Sequence, residues 1–411
     1  MQKGSTMLFV IRIFLGLFLF FQGLELKARP EYAAKHNFVN CNLCHLSPFG
    51  GGARNTNGKL YGSHEYPINS FSKQDLFSFD TRFEGFYGKG AKTTRGLYFM
   101  TADPTVNIPL TLEDSDNVVD RFVYGLGLSP MEAAKNKERE AYFVHDFSNN
   151  NKETKFLSQI LVGRFLLPFG LMTDEHRTYT RLQTRTTVFD YDIGVGFAGN
   201  PTESLHWDSS FTAGQPALGG QTPIMDDSPY TVVMNLRYKP GAHPGFFGLS
   251  ALNYSSQTLS SPLEAYSIYN VVSFEKYFGK PLNWQIEFTY AKGFTNPDVN
   301  AYMGRFFIPA TDTTWMETLK EAKSYGFYSL WNYELTPRWV LQYKFDQLVP
   351  DNRYQADLFS RNSAGAKWFL NSNMDLNFRL EQSNSTRPGL TEAKEMPTVI
   401  NAFFVLLHGW I

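Results

Sequence analysis

Apolar and polar residues alternate along much of the chain beyond residue 75. Every second residue is apolar in 282–290, and the same alternation recurs in 77–87, 339–346 and 374–381. Such a period of two is typical of a β-strand with one apolar and one polar face. In the clearest segment the apolar face consists of Leu282, Trp284, Ile286, Phe288 and Tyr290, and the polar face of Asn283, Gln285, Glu287 and Thr289.

A soluble β-sandwich also has alternating strands, but two features favour a membrane barrel. Aromatic residues lie near the ends of the apolar faces, while the opposite face is polar or charged along its length. The connections also alternate between short turns and long loops, which is how outer-membrane barrels are built. Short turns are predicted near 199–203, 240–245, 279–281, 336–337 and 371–373, and long loops near 214–229, 256–265, 293–322, 349–356 and 383–397.

The pattern therefore predicts an all-β fold, a transmembrane antiparallel β-barrel over residues 76–411. We count 16 strands, an even number that leaves both ends of the barrel on the periplasmic side. The alternation is weakest between residues 94 and 156, so 14 or 18 strands stay open as alternatives. The predicted strands start near 76, 94, 117, 139, 156, 189, 203, 230, 246, 266, 282, 323, 338, 357, 373 and 398.

Composition agrees with a barrel that has a wet interior. Aromatic residues make up 16% of the chain, yet the mean hydropathy is −0.30. The net charge of −1 argues against a nucleic-acid partner.

Lys3 and Arg12 precede an apolar run from Ile13 to Phe21 that is too short to cross a bilayer, so residues 1–28 are expected to be a secretory signal peptide. No later apolar stretch is long enough for a transmembrane helix.

The two cysteines form the sequence Cys41-Asn-Leu-Cys44-His45. This spacing is the attachment signature of c-type haem, in which two thiols bond to the porphyrin and the histidine ligates the iron. A disulfide in an oxidising compartment is one alternative. A zinc site is another, although zinc usually takes about four ligands. Residues 29–75 are thus predicted to be a periplasmic haem-binding segment that carries one covalent haem c.

Other residues of this segment are candidate partners of the haem. His64 is the first candidate for a second axial ligand of the iron, and His36 the second; for either one a solvated loop position is the alternative. Arg54 is a candidate partner for a haem propionate, or else a surface arginine. A segment of roughly 45 residues is too small to bury a haem by itself. The haem is therefore expected to lean on the periplasmic mouth of the barrel or on a partner.

The run CNLCHLSPFGGGARNTNGKLYG resembles the start of certain bacterial outer-membrane proteins. In those proteins the pattern CxxCHxxPxGGGxRxxxGxxYG precedes a porin-like barrel. The resemblance covers about 25 residues and implies a c-type haem on Cys41, Cys44 and His45. It implies no particular activity.

A second resemblance concerns residues 160–171, ILVGRFLLPFGL, which are similar to the VGxFxxPFGL strand end of phosphate-selective porins. Met172 stands where that family usually has Glu. The following loop, predicted over 167–188, carries three arginines at a spacing of four. If this third loop narrows the pore, they would favour anions; otherwise they face solvent or pair with Asp174 and Glu175. The three arginines are Arg177, Arg181 and Arg185.

The sequence contains no nucleophile–base constellation and no phosphate-binding glycine loop, so we do not expect an enzyme. The first hypothesis is an outer-membrane cytochrome c: a barrel with one haem that transfers electrons to or from a periplasmic or lumen-bound cytochrome. The alternative is a passive general or anion-preferring porin in which the N-terminal segment is a structural plug or a redox sensor. Porin-like barrels are often trimers, so a homotrimer belongs to either hypothesis.

Overall fold

The computed structural model describes the barrel and part of the segment that precedes it. The described residues are 33, 39, 41, 44–50, 58, 76–89, 93–112, 118–128, 138–147, 155–173, 178–184, 186–187, 190–214, 229–241, 243–255, 262–294, 322–350, 352, 358–371, 374–385 and 399–410. The predicted signal peptide lies outside these residues, as do Arg54, His64, Arg177 and Arg185.

Sixteen β-strands form the described fold, and each predicted start lies within three residues of an observed one. The strands are β1 (Phe77–Lys89), β2 (Thr93–Leu112), β3 (Val118–Leu126), β4 (Glu138–Asp146), β5 (Lys155–Leu166), β6 (Tyr191–Thr202), β7 (Leu205–Thr212), β8 (Tyr230–Tyr238), β9 (Gly245–Ser255), β10 (Leu263–Ser273), β11 (Leu282–Lys292), β12 (Lys323–Thr336), β13 (Trp339–Val349), β14 (Phe359–Asn371), β15 (Met374–Ser385) and β16 (Val399–Trp410).

The strands close into one barrel in which each pairs with its neighbours in sequence. β1 closes the ring by pairing antiparallel with β16, in a register that places Asp80 opposite Trp410 and Lys89 opposite Asn401. Closure leaves no open sheet edge, and it is the arrangement that satisfies every strand's backbone groups inside a membrane. The predicted all-β, 16-stranded antiparallel barrel is confirmed.

The two ends of the barrel differ as the sequence predicted. Residues 203–204 and 337–338 make tight turns at one end, which we call the short-turn end. The connection from β11 to β12 spans 293–322 at the opposite, long-loop end. Short turns at one end and long loops at the other are typical of outer-membrane barrels, with the short turns facing the periplasm.

The outer face carries an apolar belt bounded by aromatic rings. At the short-turn end Trp284 stacks on Trp331, with ring centroids 4.9 Å apart. Near the long-loop end Tyr290 lies 5.4 Å from Tyr325. Two aromatic girdles around an apolar band match the two interfaces of a bilayer. Exposed apolar side chains between them include Phe211, Met234, Leu236, Phe247, Leu249, Ile268, Phe288 and Leu380.

Two short helices belong to the described connections. α1 (Tyr179–Thr184) lies in the third loop, and α2 (Glu275–Phe278) joins β10 to β11. α2 ends at Gly279, whose φ of 59° is the left-handed conformation that glycine adopts at helix ends. In the described part of the chain, no α-helix combines the length and apolarity needed to cross a membrane.

Candidate functional site in the barrel lumen

The third loop comprises residues 167–190 between β5 and β6, and its described residues, 167–173, 178–184, 186–187 and 190, fold into the lumen. The backbone N–H of Gly170 donates to Ser250 Oγ on β9 at 2.8 Å, and that of Leu171 donates to Glu287 on β11 at 3.1 Å. At the start of α1, the N–H of Tyr179 donates to the carboxylate of Asp346 on β13 at 3.0 Å. These bonds hold the loop against the inner wall along an arc from β9 to β13.

Arg181 anchors this loop. Its Nη2 lies 3.0 Å from Glu287 Oε1, and its guanidinium also donates to the backbone carbonyls of Phe169 and Leu171. The residue is 4% exposed. Its charge is therefore compensated inside the protein by the carboxylate of Glu287, which was not among its predicted partners. The predicted pore constriction by Arg177, Arg181 and Arg185 stays a prediction.

A second anchor holds α1 to the wall of β13 and β14. Arg361 pairs with Asp346 at 2.5 Å, and its guanidinium carbon lies 4.6 Å above the ring of Tyr179. The Tyr179 ring is buried beside Leu348 and Phe359. Burial disfavours the phenolate and raises the pKa of Tyr179 to about 12.

The N-terminal segment also lies in the lumen. We call Val39, Cys41 and residues 44–50 the inner segment. Leu46 and Phe49 pack against lumen-facing residues of β3–β6, and the ring of Phe49 meets Phe165 edge-on at 5.5 Å. Arg121 Nη2 donates to the Leu46 carbonyl at 3.0 Å. Gly196 leaves room for the ring, because a Cβ there would lie 2.5 Å from Phe49 Cζ.

The other end of the inner segment contacts a different part of the wall. Val39 is 5% exposed and belongs to an apolar cluster with Leu171 of the third loop and with residues of β9, β10 and β12. The segment thus crosses the lumen between two distant walls. Both walls offer apolar side chains inside the barrel, and the predicted haem position at the periplasmic mouth or on a partner stays a prediction. The cluster residues on these strands are Phe246, Tyr269, Val271, Tyr328 and Leu330.

The Cys-x-x-Cys-His residues form one compact turn. The backbone N–H groups of Cys44 and His45 both donate to the Cys41 carbonyl, at 3.1 and 3.0 Å. The structure therefore brings together the three residues that the sequence grouped. No disulfide joins the two cysteines. Gly50, with a φ of 79°, turns the chain back so that a Cβ there would lie 3.0 Å from Cys41 Sγ.

The sulfur of Cys41 lies against the barrel wall. Arg237 Nη1, near the short-turn end of β8, donates to Cys41 Sγ at 2.6 Å. Burial raises the pKa of the Cys41 thiol, and the opposing effect of the Arg237 charge is smaller.

The inner segment fits a c-type haem in its donor residues but not in its packing. Two thiols and a histidine lie on one turn, as thioether attachment and iron ligation require. Yet Arg237 and Gly50 enclose Cys41 Sγ, so this sulfur would have to rotate away before it could bond to a porphyrin. Among the described residues, no three His, Cys, Asp or Glu side chains are grouped to hold a metal ion.

Sequence reasoning missed the apolar side chains that face the lumen. In β4 the buried Tyr142 and Val144 point inward, while Phe143 between them points outward and is 53% exposed. A strand that is apolar on both faces lacks the usual alternation of a barrel strand. The weak alternation between residues 94 and 156 was therefore the available signal of an occupant inside the barrel.

Comparisons with solved structures agree with this architecture. The fold is similar to the anion-selective porin from Comamonas acidovorans (TM-score 0.54, 11% identity, 82% of this chain and 98% of that chain). It is also similar to the outer membrane channel DcaP of Acinetobacter baumannii (TM-score 0.52, 10% identity, 82% and 96% covered).

A third similar structure is OmpT of Vibrio cholerae in a form described as a trimer (TM-score 0.50, 7% identity, 82% and 99% covered). No protein-family model matches the sequence, and no curated protein matches it. At these identities the likeness concerns the fold. The chain has the 16-stranded barrel fold of bacterial outer-membrane porins.

Proposed function

We propose that the protein is a passive solute channel of the outer membrane, narrowed by two internal elements. The third loop covers the wall from β9 to β13, and the inner segment crosses from β10 and β12 to β3–β6. The observation that carries the proposal is the docking of Phe49 and Leu46 on an apolar lumen wall. An apolar inner wall is costly in a water-filled pore unless something covers it.

Deleting residues 29–75 tests the proposal. Without the inner segment, the single-channel conductance in planar bilayers should rise several-fold, because the remaining lumen is narrowed by the third loop alone. Retention of the folded barrel would be checked by its heat-modifiable migration in detergent gels. A folded deletion variant with unchanged conductance would contradict the plug, and absence of any conductance would contradict the channel.

An anion preference is the finer form of this proposal. The Comamonas porin is described as anion-selective, and this chain has three arginines in its third loop. Because Glu287 neutralises Arg181, the preference would come from Arg177 and Arg185. The variant Arg177→Ala/Arg185→Ala should therefore reduce anion selectivity in a salt-gradient measurement. Arg181→Ala should instead loosen the third loop. Its effect on anion selectivity should be smaller than that of removing Arg177 or Arg185, because Glu287 already offsets the Arg181 charge.

Electron transfer by a covalent haem is the second candidate function. It is supported by the Cys41–His45 turn and by the resemblance of residues 41–62 to haem-binding segments. When bound, the haem would supply one-electron chemistry. Cys41 and Cys44 would hold it and His45 would ligate the iron, with His64 as the predicted second ligand. Since the inner segment lies in the lumen, its redox partner would be a cytochrome that enters the barrel from the periplasmic side.

A haem assay separates the two candidates. The protein would be produced together with the c-type maturation machinery, denatured, and examined for a pyridine-haemochrome spectrum. A covalent spectrum that disappears in Cys41→Ala/Cys44→Ala supports the electron-transfer candidate. A colourless protein under these conditions would contradict electron transfer and leave the solute channel as the remaining candidate function.

A homotrimer is the assembly we propose, with the outer face of β3–β5 at the interface. Asp120 and His145 are hydrogen-bonded at 2.6 Å on this face, and Arg164 lies on the next strand in an outward register position. Charged groups facing lipid are costly, so this face is better covered by protein. Native mass spectrometry should detect trimers that weaken in Arg164→Ala. Monomers alone in the wild type would contradict the assembly.

A further inference from the structure

Arg237 is a lumen-facing cation at the short-turn end of β8. It is 4% exposed and is held from β7 by Asp208, to which its Nη2 donates. Asp208 is held in turn by His206, whose Nε2 lies 2.6 Å from the carboxylate. The guanidinium is thus fixed in position before any solute arrives, as a binding group needs to be.

The remaining donors of Arg237 have weak partners or none. Nη1 donates to Cys41 Sγ at 2.6 Å, and a cysteine sulfur is a weak acceptor. Nε is buried and has no acceptor among the described residues. A buried guanidinium N–H that lacks an acceptor is costly, and a charged oxygen would satisfy it far better than the sulfur.

The wall beside Arg237 is polar and ordered. Ser250 Oγ and Tyr269 OH both donate to Asn235 Oδ1, each at 2.7 Å. Asn235 Nδ2 lies 3.5 Å from the same Asp208 carboxylate that holds Arg237. The groups of this network are neutral hydroxyls and an amide. Asp208 is therefore the one group of the network that would repel a small anion.

We propose that Arg237 is a subsite for small carboxylate anions in the channel, and that the inner segment covers it with the Cys41 sulfur. Solute and inner segment then compete for the same guanidinium. A carboxylate that binds Arg237 displaces the Cys41 turn from this wall, so an anionic solute favours the open lumen. The inference rests on the proposed channel function and adds to it the binding residue and the solute class.

The chain offers a matched pair of variants as the test. Cys41→Ala and Cys44→Ala each remove one of the two thiols that could bond to a haem and each prevent a disulfide, but only Cys41→Ala removes the atom that covers Arg237. The measurement is the reversal potential in a potassium acetate gradient. We expect the acetate-to-potassium permeability ratio of Cys41→Ala to exceed that of Cys44→Ala by about threefold. Asp208 offsets the charge of Arg237 in both variants, but only in Cys41→Ala does the Nη1 donor become available to a carboxylate, at about the net strength of one hydrogen bond.

Substitution of Arg237 on the Cys41→Ala background completes the test. Arg237→Lys keeps the charge and should retain part of the gain, whereas Arg237→Gln should abolish it. Equal permeability ratios in Cys41→Ala and Cys44→Ala would overturn the subsite while leaving the channel intact, and this comparison does not depend on whether Arg237→Gln folds. Failure of the channel itself is distinguishable, because then every variant would lack conductance, including the one without residues 29–75.

Discussion

The inner face of the barrel has two contrasting walls. On β3–β6 the lumen-facing residues Val123, Tyr142, Val144, Leu161 and Phe165 are apolar and buried. On β13–β16 the corresponding positions are mainly charged or polar and hold one another in ion pairs. These pairs are Arg361–Asp346, Lys367–Asp375 and Arg379–Glu381.

The contrast shows which wall needs a cover. Charged side chains can line water, whereas apolar side chains gain free energy only when another surface removes them from water. The inner segment supplies that surface with Leu46 and Phe49, and the third loop supplies a polar anchor for the charged wall through Tyr179. The two occupants of the lumen are therefore held by different forces, and separate substitutions should release them.

The largest effect is expected for Phe49→Asp. Loss of the buried ring costs about 3–5 kcal/mol, and the desolvation of the new carboxylate adds to this. Docking on the apolar wall should fail, so the single-channel conductance should approach that of the variant lacking residues 29–75. Limited proteolysis should then cleave near residue 49, a site protected in the wild type.

Two glycines on the wall provide a control that leaves the inner segment unchanged. A methyl group on Gly196 would meet the ring of Phe49, and one on Gly326 would meet the side chain of Thr180 in α1. Gly196→Ala should therefore displace the inner segment and Gly326→Ala the third loop. Identical proteolysis patterns in the two variants would contradict the separate anchoring of the two elements.

The sequence predicted the barrel well because alternation is a local property. A period of two is visible within single strands such as β11 and β13, and turn residues mark where each strand ends. The docking of the inner segment depends instead on contacts between distant residues. Arg237 lies 196 positions from Cys41, and Glu287 lies 106 positions from Arg181. No local pattern encodes such pairs, so neither partner was predicted.

An intermediate effect is expected for Arg361→Met on the charged wall. The substitution leaves Asp346 buried without its guanidinium partner, which typically costs about 3–5 kcal/mol. It also removes the cation above the Tyr179 ring. Hydrogen exchange of the amides in 178–184 should become faster, while protection of residues 44–50 should stay unchanged. Arg361→Lys keeps the charge, so its exchange rates in 178–184 should lie between those of Arg361→Met and the wild type. Faster exchange in both elements would mean that the two walls are coupled.

The smallest effect concerns alkaline pH and the third loop. The pKa of Tyr179 is raised from 10.0 to about 12, chiefly by burial, while the nearby Arg361 charge opposes the shift and Asp346 adds to it. The docked loop therefore holds the phenolic proton more tightly than the released loop does. Its anchoring is complete below pH 10 and weakens as the pH rises from about 10 to 12, by at most about 3 kcal/mol.

Conductance measured across this pH range would test the prediction against Tyr179→Phe. The phenylalanine keeps the ring under Arg361 but has no proton to lose, so its pH dependence should be flatter than that of the wild type. Lysines that titrate in the same range affect both proteins equally and cancel in the comparison. If conductance had the same pH dependence in both proteins, ionisation of Tyr179 would play no part in releasing the third loop. The anchor would then consist only of the hydrogen bond from the Tyr179 backbone N–H to Asp346.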